Sequence, residues 1–423
     1  MYFFVFLCKI KIYHADIISA KKWRIIMKKI IALILAVLMV GGAFMLTGCN
    51  KKDDPKEDFK VGAIYINSKN DTAGYTYAHH NGIVTAMKSL GMDVDKQLLI
   101  VDEVPEDSEQ VKAAIDNLVG QGANIIFGIS FGYIDAMEEK AAEYPEVVFS
   151  HATGYKSNTT NFNNYFGRAY QARYLAGIAA GLKSLQTGNN NVGYVAAFGT
   201  QYAETASGIN GFALGVRAVN PNAQIIVKEL GAWAHEINEA AFAKELVESY
   251  KCGVISQHCD SAQPQIAAAN GGVFGCGYNS DMTADAPTAH LTAAIWHWNV
   301  YYETAIRTAM NCGGAEKFVE AMGTPAYYGG LKENFVDVSP LSANCAPNTQ
   351  TAINAVRKMI VDGEWDVFTG VKLSIAADGT VTKVNSDLKT NEGVVIVPAG
   401  GASVADGVIT GTMNYFVEGV VAG

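Results

Sequence analysis

The sequence predicts an α/β protein of two doubly wound units, each a parallel sheet covered by helices on both faces. Three observations predict it. Apolar strand-like runs alternate with helix-like runs from Phe59 onward, the connections between them are short, and a second such series follows the first. A chain of 423 residues, 49% hydrophobic and 17% charged, has the length and the apolar content for two cores.

In the first unit, residues 60–66 read as an apolar strand and 77–90 as a helix stopped by Gly91. Residues 98–101 form the next strand. Residues 108–121 read as a helix with Ser108 at the N-cap and an apolar stripe of Val111, Ala114, Ile115 and Leu118. A buried strand at 123–129, a helix at 134–143 and a strand at 147–151 complete the series. The second unit opens with a long helix at 170–185. Strands at 191–196, 224–230, 254–257 and 273–277 then alternate with helices at 209–219, 238–249 and 263–270. Residues 291–310 read as a long return helix. Past Gly313 the pattern loosens, and 363–368, 371–376 and 381–384 read as hairpin strands with a turn at Asp378-Gly379.

The N-terminal 58 residues stand outside that pattern. From Met27, Lys28 and Lys29 precede an apolar run at 30–40, then small residues, then Leu46-Thr47-Gly48-Cys49. The apolar run has the length of a signal-peptide core and is too short to span a bilayer comfortably. The Leu-Thr-Gly-Cys ending resembles a bacterial lipobox, which implies a diacylglyceryl group on Cys49. Residues 27–48 are thus expected to be a lipoprotein signal peptide and 49–58 a charged tether. Residues 1–26, ahead of a complete leader, read as an over-extended start with Met27 as the initiator. The expected location is the outer face of the cell membrane, anchored by lipid.

Charge and cysteines narrow the function. The net charge is −9, but seven basic residues and one acidic residue fall in 1–48, which leaves the rest near −15. An acidic body repels phosphate and excludes nucleic acid as a partner. Past residue 48 only Arg168, Arg173, Arg217, Arg307 and Arg357 remain, a scarcity that favours an uncharged ligand. The seven cysteines include no C-x-x-C pair, so zinc-ribbon and thioredoxin chemistry lack support. Cys312 and Cys345 are one candidate disulfide, with buried free thiols the alternative.

Two doubly wound units create a cleft, and ligands of open parallel sheets sit beyond the carboxyl ends of the strands. After the first strand, Tyr75 is placed to stack on a flat ring and Asp71 to accept from a ring N–H; capping by Asp71 with Tyr75 on a lobe surface is the alternative. After the third strand, Gly128-Ile129-Ser130-Phe131-Gly132 spells the G-x-S-x-G of a nucleophile elbow. No HGGG-like oxyanion motif accompanies it, and nothing flanking His235, His258, His290 or His297 marks a catalytic partner. The segment is therefore read as a close-approach loop that brings Phe131 into the cleft. In the second unit Glu204 and Asn210 follow a strand, as do Asp260, Tyr278 and Asp281. Neighbouring His258, Cys259 and Asp260 cannot all face one ion, so no metal and no cofactor are expected. Trp296 and Trp298 are assigned to the start of the return helix, one facing the core and one the cleft, and Trp233 to packing.

These stretches together resemble the basic membrane protein family of ABC-transporter substrate-binding lipoproteins, the family of purine nucleoside receptors. The matching segments are Gly74-Tyr75-Thr76-Tyr77-Ala78-His79, Tyr170 to Gly177, Gly208-Ile209-Asn210, Val219-Asn220-Pro221, Gln257 to Ser261, Gly277 to Met282 and Trp296-His297-Trp298. The resemblance implies a type I periplasmic-binding-protein fold, two Rossmann-like lobes hinged about a ligand cleft. The first lobe is expected at 59–165, completed by about 291–325, and the second at 166–290, completed by about 326–423. It also implies a purine-type ligand, Tyr75 and Phe131 as ring contacts, Asp260 and Asp281 as polar contacts, and permease and ATPase subunits as partners. This branch usually has Trp where Tyr75 stands and Asp where His80 stands. Nucleoside receptors of the family hold the ribose with an Asp and a Lys where this chain has Asn279 and Trp296. That departure favours a free base such as adenine. The expected site is Asp71, Tyr75, Phe131, Glu204, Asn210, Asp260, Tyr278, Asp281 and Trp296. A nucleoside receptor, a signalling lipoprotein without a transporter and a hydrolase using Ser130 are the alternatives.

Overall fold

The computed structural model describes residues 58–423. The leader at 27–48, Cys49 and the segment 1–26 lie outside the described residues. Among these, no helix is long and apolar enough to cross a membrane.

Strands β1 (Val61–Tyr65), β2 (Leu98–Val101), β3 (Ile125–Ile129), β4 (Val148–Ala152) and β5 (Phe162–Gly167) form the first sheet. Every residue of β1, β3 and β4 is buried, as expected of parallel strands covered on both faces. The second sheet contains β6 (Asn191–Ala196), β7 (Gln224–Glu229), β8 (Val254–His258), β9 (Phe274–Asn279) and β10 (His290–Trp296). The chain then returns to the first sheet with β11 (Ala326–Gly329) and to the second with β12 (Val336–Val338). Two hairpins follow, β13 (Val371–Ile375) with β14 (Val381–Asn385) and β15 (Leu388–Lys389) with β16 (Val395–Val397). β17 (Val420–Ala422) closes the far edge of the second sheet on β7. The orders are β11-β5-β4-β3-β1-β2 and β12-β10-β9-β8-β6-β7-β17, with all neighbours parallel except β10 and β12.

The chain passes between the sheets at 167–169, 296–298 and 329–336. These crossings lie side by side: the Arg168 amide donates to the Gly329 carbonyl at 2.7 Å, and the His297 amide to the Phe335 carbonyl at 2.8 Å. Two Rossmann-like lobes joined by three adjacent crossings form the type I periplasmic-binding-protein fold, in which lobes hinge about a shared cleft.

Several sequence expectations require correction. Residues 290–296 are a strand of the second sheet, and the return helix is Trp298–Asn311. The run is buried on both faces, so it shows no alternation to distinguish it from a helix. It therefore completes the second lobe, and β11 rather than 291–296 extends the first. β5 escaped notice because Asn163 and Asn164 read as loop. Both are satisfied internally: Asn163 exchanges hydrogen bonds with the Tyr301 hydroxyl, and Asn164 donates to the Lys156 carbonyl. The helix Ser108–Gly120 is capped by Asp107, whose side chain accepts from the Gln110 amide at 3.0 Å, and not by Ser108. Residues 363–368 are irregular, with Asp366 tied to Tyr170 and Gln171. Of the two readings open for Cys312 and Cys345, the structure has the free thiols, which corrects nothing in the sequence reading.

The second lobe rests on backbone contact between the helices Ala169–Thr187 and Ala203–Val219. A Cβ on Gly177 would lie 2.3 Å from the Phe212 carbonyl oxygen, and one on Gly215 would lie 2.1 Å from that of Tyr174. Only glycine permits that approach. Gly215→Ala is expected to lower stability to denaturant by about 1–3 kcal/mol through overpacking. Gly120→Ala, where an added Cβ meets nothing within 4 Å, is the control and should be neutral or mildly stabilising. Equal effects at the two positions would contradict the close-contact reading.

Candidate functional site

A cavity of about 740 Å³ opens between the lobes at the carboxyl ends of the strands. From the first lobe, β1 delivers Ile66 and Asn67, the helix Gly74–Ser89 delivers Tyr75, the turn after β3 delivers Ser130 and Phe131, and β4 leads to Thr153. From the second, Glu204 sits in the first turn of the helix after β6, Trp233 and Ala234 follow β7, His258 and Asp260 come from the end of β8, and Tyr278 from β9. Four aromatic residues, Tyr75, Phe131, Trp233 and Tyr278, thus share one chamber with two carboxyls.

Its position is set by a close approach. Gly74 has φ +85°, and a Cβ there would lie 1.8 Å from the Asp260 carbonyl oxygen. The first helix can therefore press directly on the opposite lobe only because residue 74 is glycine. Further along that helix, buried His79 stacks on Trp298 with centroids 3.8 Å apart and meets the Tyr302 hydroxyl at 2.6 Å through Nδ1.

The electrostatics of the second-lobe wall depend on Arg173. This guanidinium is buried, lies 3.8 Å from the centre of the Tyr278 ring, and donates through Nη1 to the Tyr194 hydroxyl and the Gln257 carbonyl. Its Nε and Nη2 have no hydrogen-bond partner among the described residues. Burial pushes the Glu204 carboxyl up to about 7 from its usual 4.5, with Arg173 opposing. Burial, and then Arg173, hold His258 well below the usual imidazole value, so it stands neutral with Nε2 3.6 Å from Glu204 and Nδ1 unpaired. Asp260 is raised well above the usual carboxylate range by burial and then by Glu239 and Glu204; it accepts from the Asn279 amide at 3.1 Å. The cavity wall is therefore a set of poised, under-satisfied donors and acceptors. Neither Lys nor Arg lines it.

The structure brings Tyr75, Phe131, Glu204, Asp260 and Tyr278 together. Asp71 lies at an adjoining mouth with Glu103, Glu236 and Asp285, where burial and then Glu103 and Glu236 raise its carboxyl. The other three expected residues lie elsewhere. Asn210 is fully buried and pins the C-terminal segment: it donates to the Tyr415 carbonyl and accepts from the Val417 amide. Asp281 is partly exposed, 3.4 Å from His290, and accepts from Thr283. Trp296 stacks on Trp298 at 4.4 Å and lines a separate depression with Asp281. It ends β10 instead of starting a helix, and it does not line the cavity, though its Nε1 donates to the Tyr278 hydroxyl at 3.3 Å. Trp233, assigned to packing from sequence, is a cavity residue, as are Thr153 and Ala234. Each directly follows a strand or its turn, which was the available signal. His80 meets the Tyr65 hydroxyl at 3.1 Å on the first-lobe core.

The nucleophile-elbow pattern has no catalytic geometry. The Ser130 hydroxyl donates to the Glu106 carboxylate at 2.6 Å, and His151 directs Nε2 at the Ser130 backbone carbonyl instead of the hydroxyl. Among the described residues no cluster of His, Cys, Asp and Glu is placed to hold a metal ion.

Residues 59–366 match the family described as Bmp, ABC transporter substrate-binding protein PnrA-like. The chain belongs to this family. Its members are solute-binding proteins and not enzymes. A protein of Brucella abortus described as purine-binding is 31% identical over 334 residues, 79% of this chain and 89% of that one. A protein of Haloferax volcanii described as a putative ABC transporter glucose-binding protein is 34% identical over 266 residues. That match spans 63% of each chain. Solved solute-binding proteins of ABC transporter systems from Conexibacter woesei and Aeropyrum pernix share the fold. Their TM-scores are 0.57 and 0.58, at 20% and 15% identity over 73% and 74% of this chain. The alignments cover 98% and 93% of those two chains.

The Glu204 shift has a testable sign. A carboxyl raised in the folded state binds more protons there than in the unfolded chain between about pH 4.5 and 7, so its contribution to stability falls as pH rises through that window. Glu204→Gln removes this term. The ligand-free variant should gain stability relative to the parent from pH 4.5 to 7, read as melting temperature at each pH. A difference independent of pH would place Glu204 in water instead.

Proposed function

We propose that this protein is the extracytoplasmic, lipid-anchored receptor of an ABC importer and captures a purine-type ring in the interlobe cavity, with a free base such as adenine preferred. The carrying observation is the wall itself: aromatic faces from both lobes, two half-buried carboxyls and a neutral imidazole, with no cation to attract a phosphate or carboxylate. Stacking needs no ligand charge and contributes about 1–3 kcal/mol per base. Hydrogen bonds to Asp260 and Glu204 then penalise rings with the wrong donor edge, because a buried acceptor left unpaired costs about 1–3 kcal/mol.

The purine-binding relative from Brucella abortus supports the ring class. The preference for a base rests on Asn279 and Trp296. The first is engaged with Asp260, and the second is stacked on Trp298 outside the cavity. Neither is disposed to hold a ribose in the cavity. A diacylglyceryl group on Cys49 tethers the protein beside permease and ATPase subunits, and lobe closure signals the loaded state. The relative described as glucose-binding favours a second reading, a sugar in the same cavity.

Calorimetric titration of ligand-stripped protein, residues 50–423, with adenine, guanine, hypoxanthine, their nucleosides and glucose decides between these. A base is expected to bind more tightly than its nucleoside. Tyr75→Ala and Asp260→Ala should each weaken that binding more than about tenfold. Unchanged affinity in both variants would remove the site assignment, and heat from glucose alone would move the ligand to the sugar class.

A further inference from the structure

A second chamber of about 1520 Å³ adjoins the ring cavity and shares Phe131, Thr153, Glu204 and Trp233 with it. Its walls come from both lobes and from the helix Asp406–Gly411, which lies beyond the family match. Aromatic rings dominate: Phe131, Tyr155, Phe166, Tyr202, Tyr327 and Tyr328 join Trp233 there. Phe131 and Tyr202 meet across the cleft, edge to face, with centroids 6.0 Å apart.

The threonine and amide side chains on this wall are committed inward. Thr153 donates to the Ala152 carbonyl, Asn164 to the Lys156 carbonyl and Thr410 to the Asp406 carbonyl. Gln201 donates to Glu229 and accepts from the Gly199 amide. The charged lining residues are both acids, Glu204 and Asp406, and Asp406 is clamped by the Nε and Nη2 of Arg168 at 3.1 and 2.5 Å. A phosphate would meet carboxylate here. The hydroxyls of Tyr155, Tyr202, Tyr327 and Tyr328 are the unengaged hydrogen-bonding groups among its side chains, and each sits at the edge of an aromatic ring. Flat apolar surface would find ring faces, where burial and edge-to-face contact both stabilise. Gly407 and Gly411 add width: a Cβ built on either meets nothing within 4 Å.

We propose that this chamber is a substituent subsite, which takes an apolar or aromatic group carried on the ring held in the first cavity. The ligand class is thereby a purine-type base with a hydrophobic substituent. The proposal rests on the ring-cavity reading and adds a second point of recognition to it.

The probes are adenine, adenosine and 6-benzylaminopurine, titrated into ligand-stripped protein and into two variants. Gly407→Phe fills the chamber and Tyr155→Ala removes part of its wall; Tyr155 is 70% exposed, and neither residue lines the ring cavity. The parent should bind 6-benzylaminopurine about tenfold or more tighter than adenine, as expected for one newly buried ring. Each variant should cut that advantage to less than about threefold, with adenine affinity unchanged. An advantage that survives in both variants, no advantage in the parent, or a gain for adenosine that the variants abolish would each overturn the subsite. Failure of adenine itself to bind would overturn the ring reading, and the subsite with it.

Discussion

A buried guanidinium governs the cleft. Arg173 occupies the heart of the second lobe with only neutral oxygens as hydrogen-bond acceptors, and among the described residues it forms no ion pair. An isolated buried charge is costly, and nearby dipoles and π-faces must offset it. The Tyr278 ring, the Gln257 carbonyl and the Tyr194 hydroxyl do so. The Arg173 field then reaches the cavity, where it adds to the burial that keeps His258 neutral and opposes the upward push of burial on Glu204. The wall is thus polarised without presenting a cation to the ligand. The proposed selectivity for neutral, donor-bearing rings rests on that arrangement.

The fold was largely legible because its determinants are local. Apolar runs of strand length bounded by glycine, and helices with clear stripes such as Val111, Ala114, Ile115 and Leu118, declare their type without tertiary help. The failures occur where tertiary context decides. Residues 290–296 are buried on both faces and carry no period. Asn163 in β5 is satisfied by Tyr301, which is 138 residues away, a pairing invisible in one dimension. The closing strand β17 depends on Asn210 holding residues 415–417 in place, another long-range bond.

The site was half legible. Tyr75, Phe131, Glu204, Asp260 and Tyr278, expected from sequence, line one cavity because loops after parallel strands face the cleft. Asn210, Asp281 and Trp296 lie outside that cavity, because position after a strand does not fix side-chain direction. Asn210 points into its lobe, and Trp296 belongs to the strand itself. Trp233 was passed over although it follows β7 in the same way as the others. Two glycines explain what composition could not: Gly74 allows the lobes to touch at Asp260, and Gly215 allows two helices to touch at Tyr174.

Function emerges from the same geometry. Under the proposed function, the three adjacent crossings serve as the hinge, Gly74 marks where the lobes meet at Asp260, and ring faces from both sides supply the ligand-dependent attraction that favours closure. A crystal structure of the protein grown with adenine tests this most directly. The expected density is a flat ring among Tyr75, Phe131 and Trp233, with its donor edge on Asp260 or Glu204 and Gly74 against the Asp260 carbonyl. Adenine seated instead in the depression beside Trp296 and Asp281, or outside the cleft, would contradict the proposed capture.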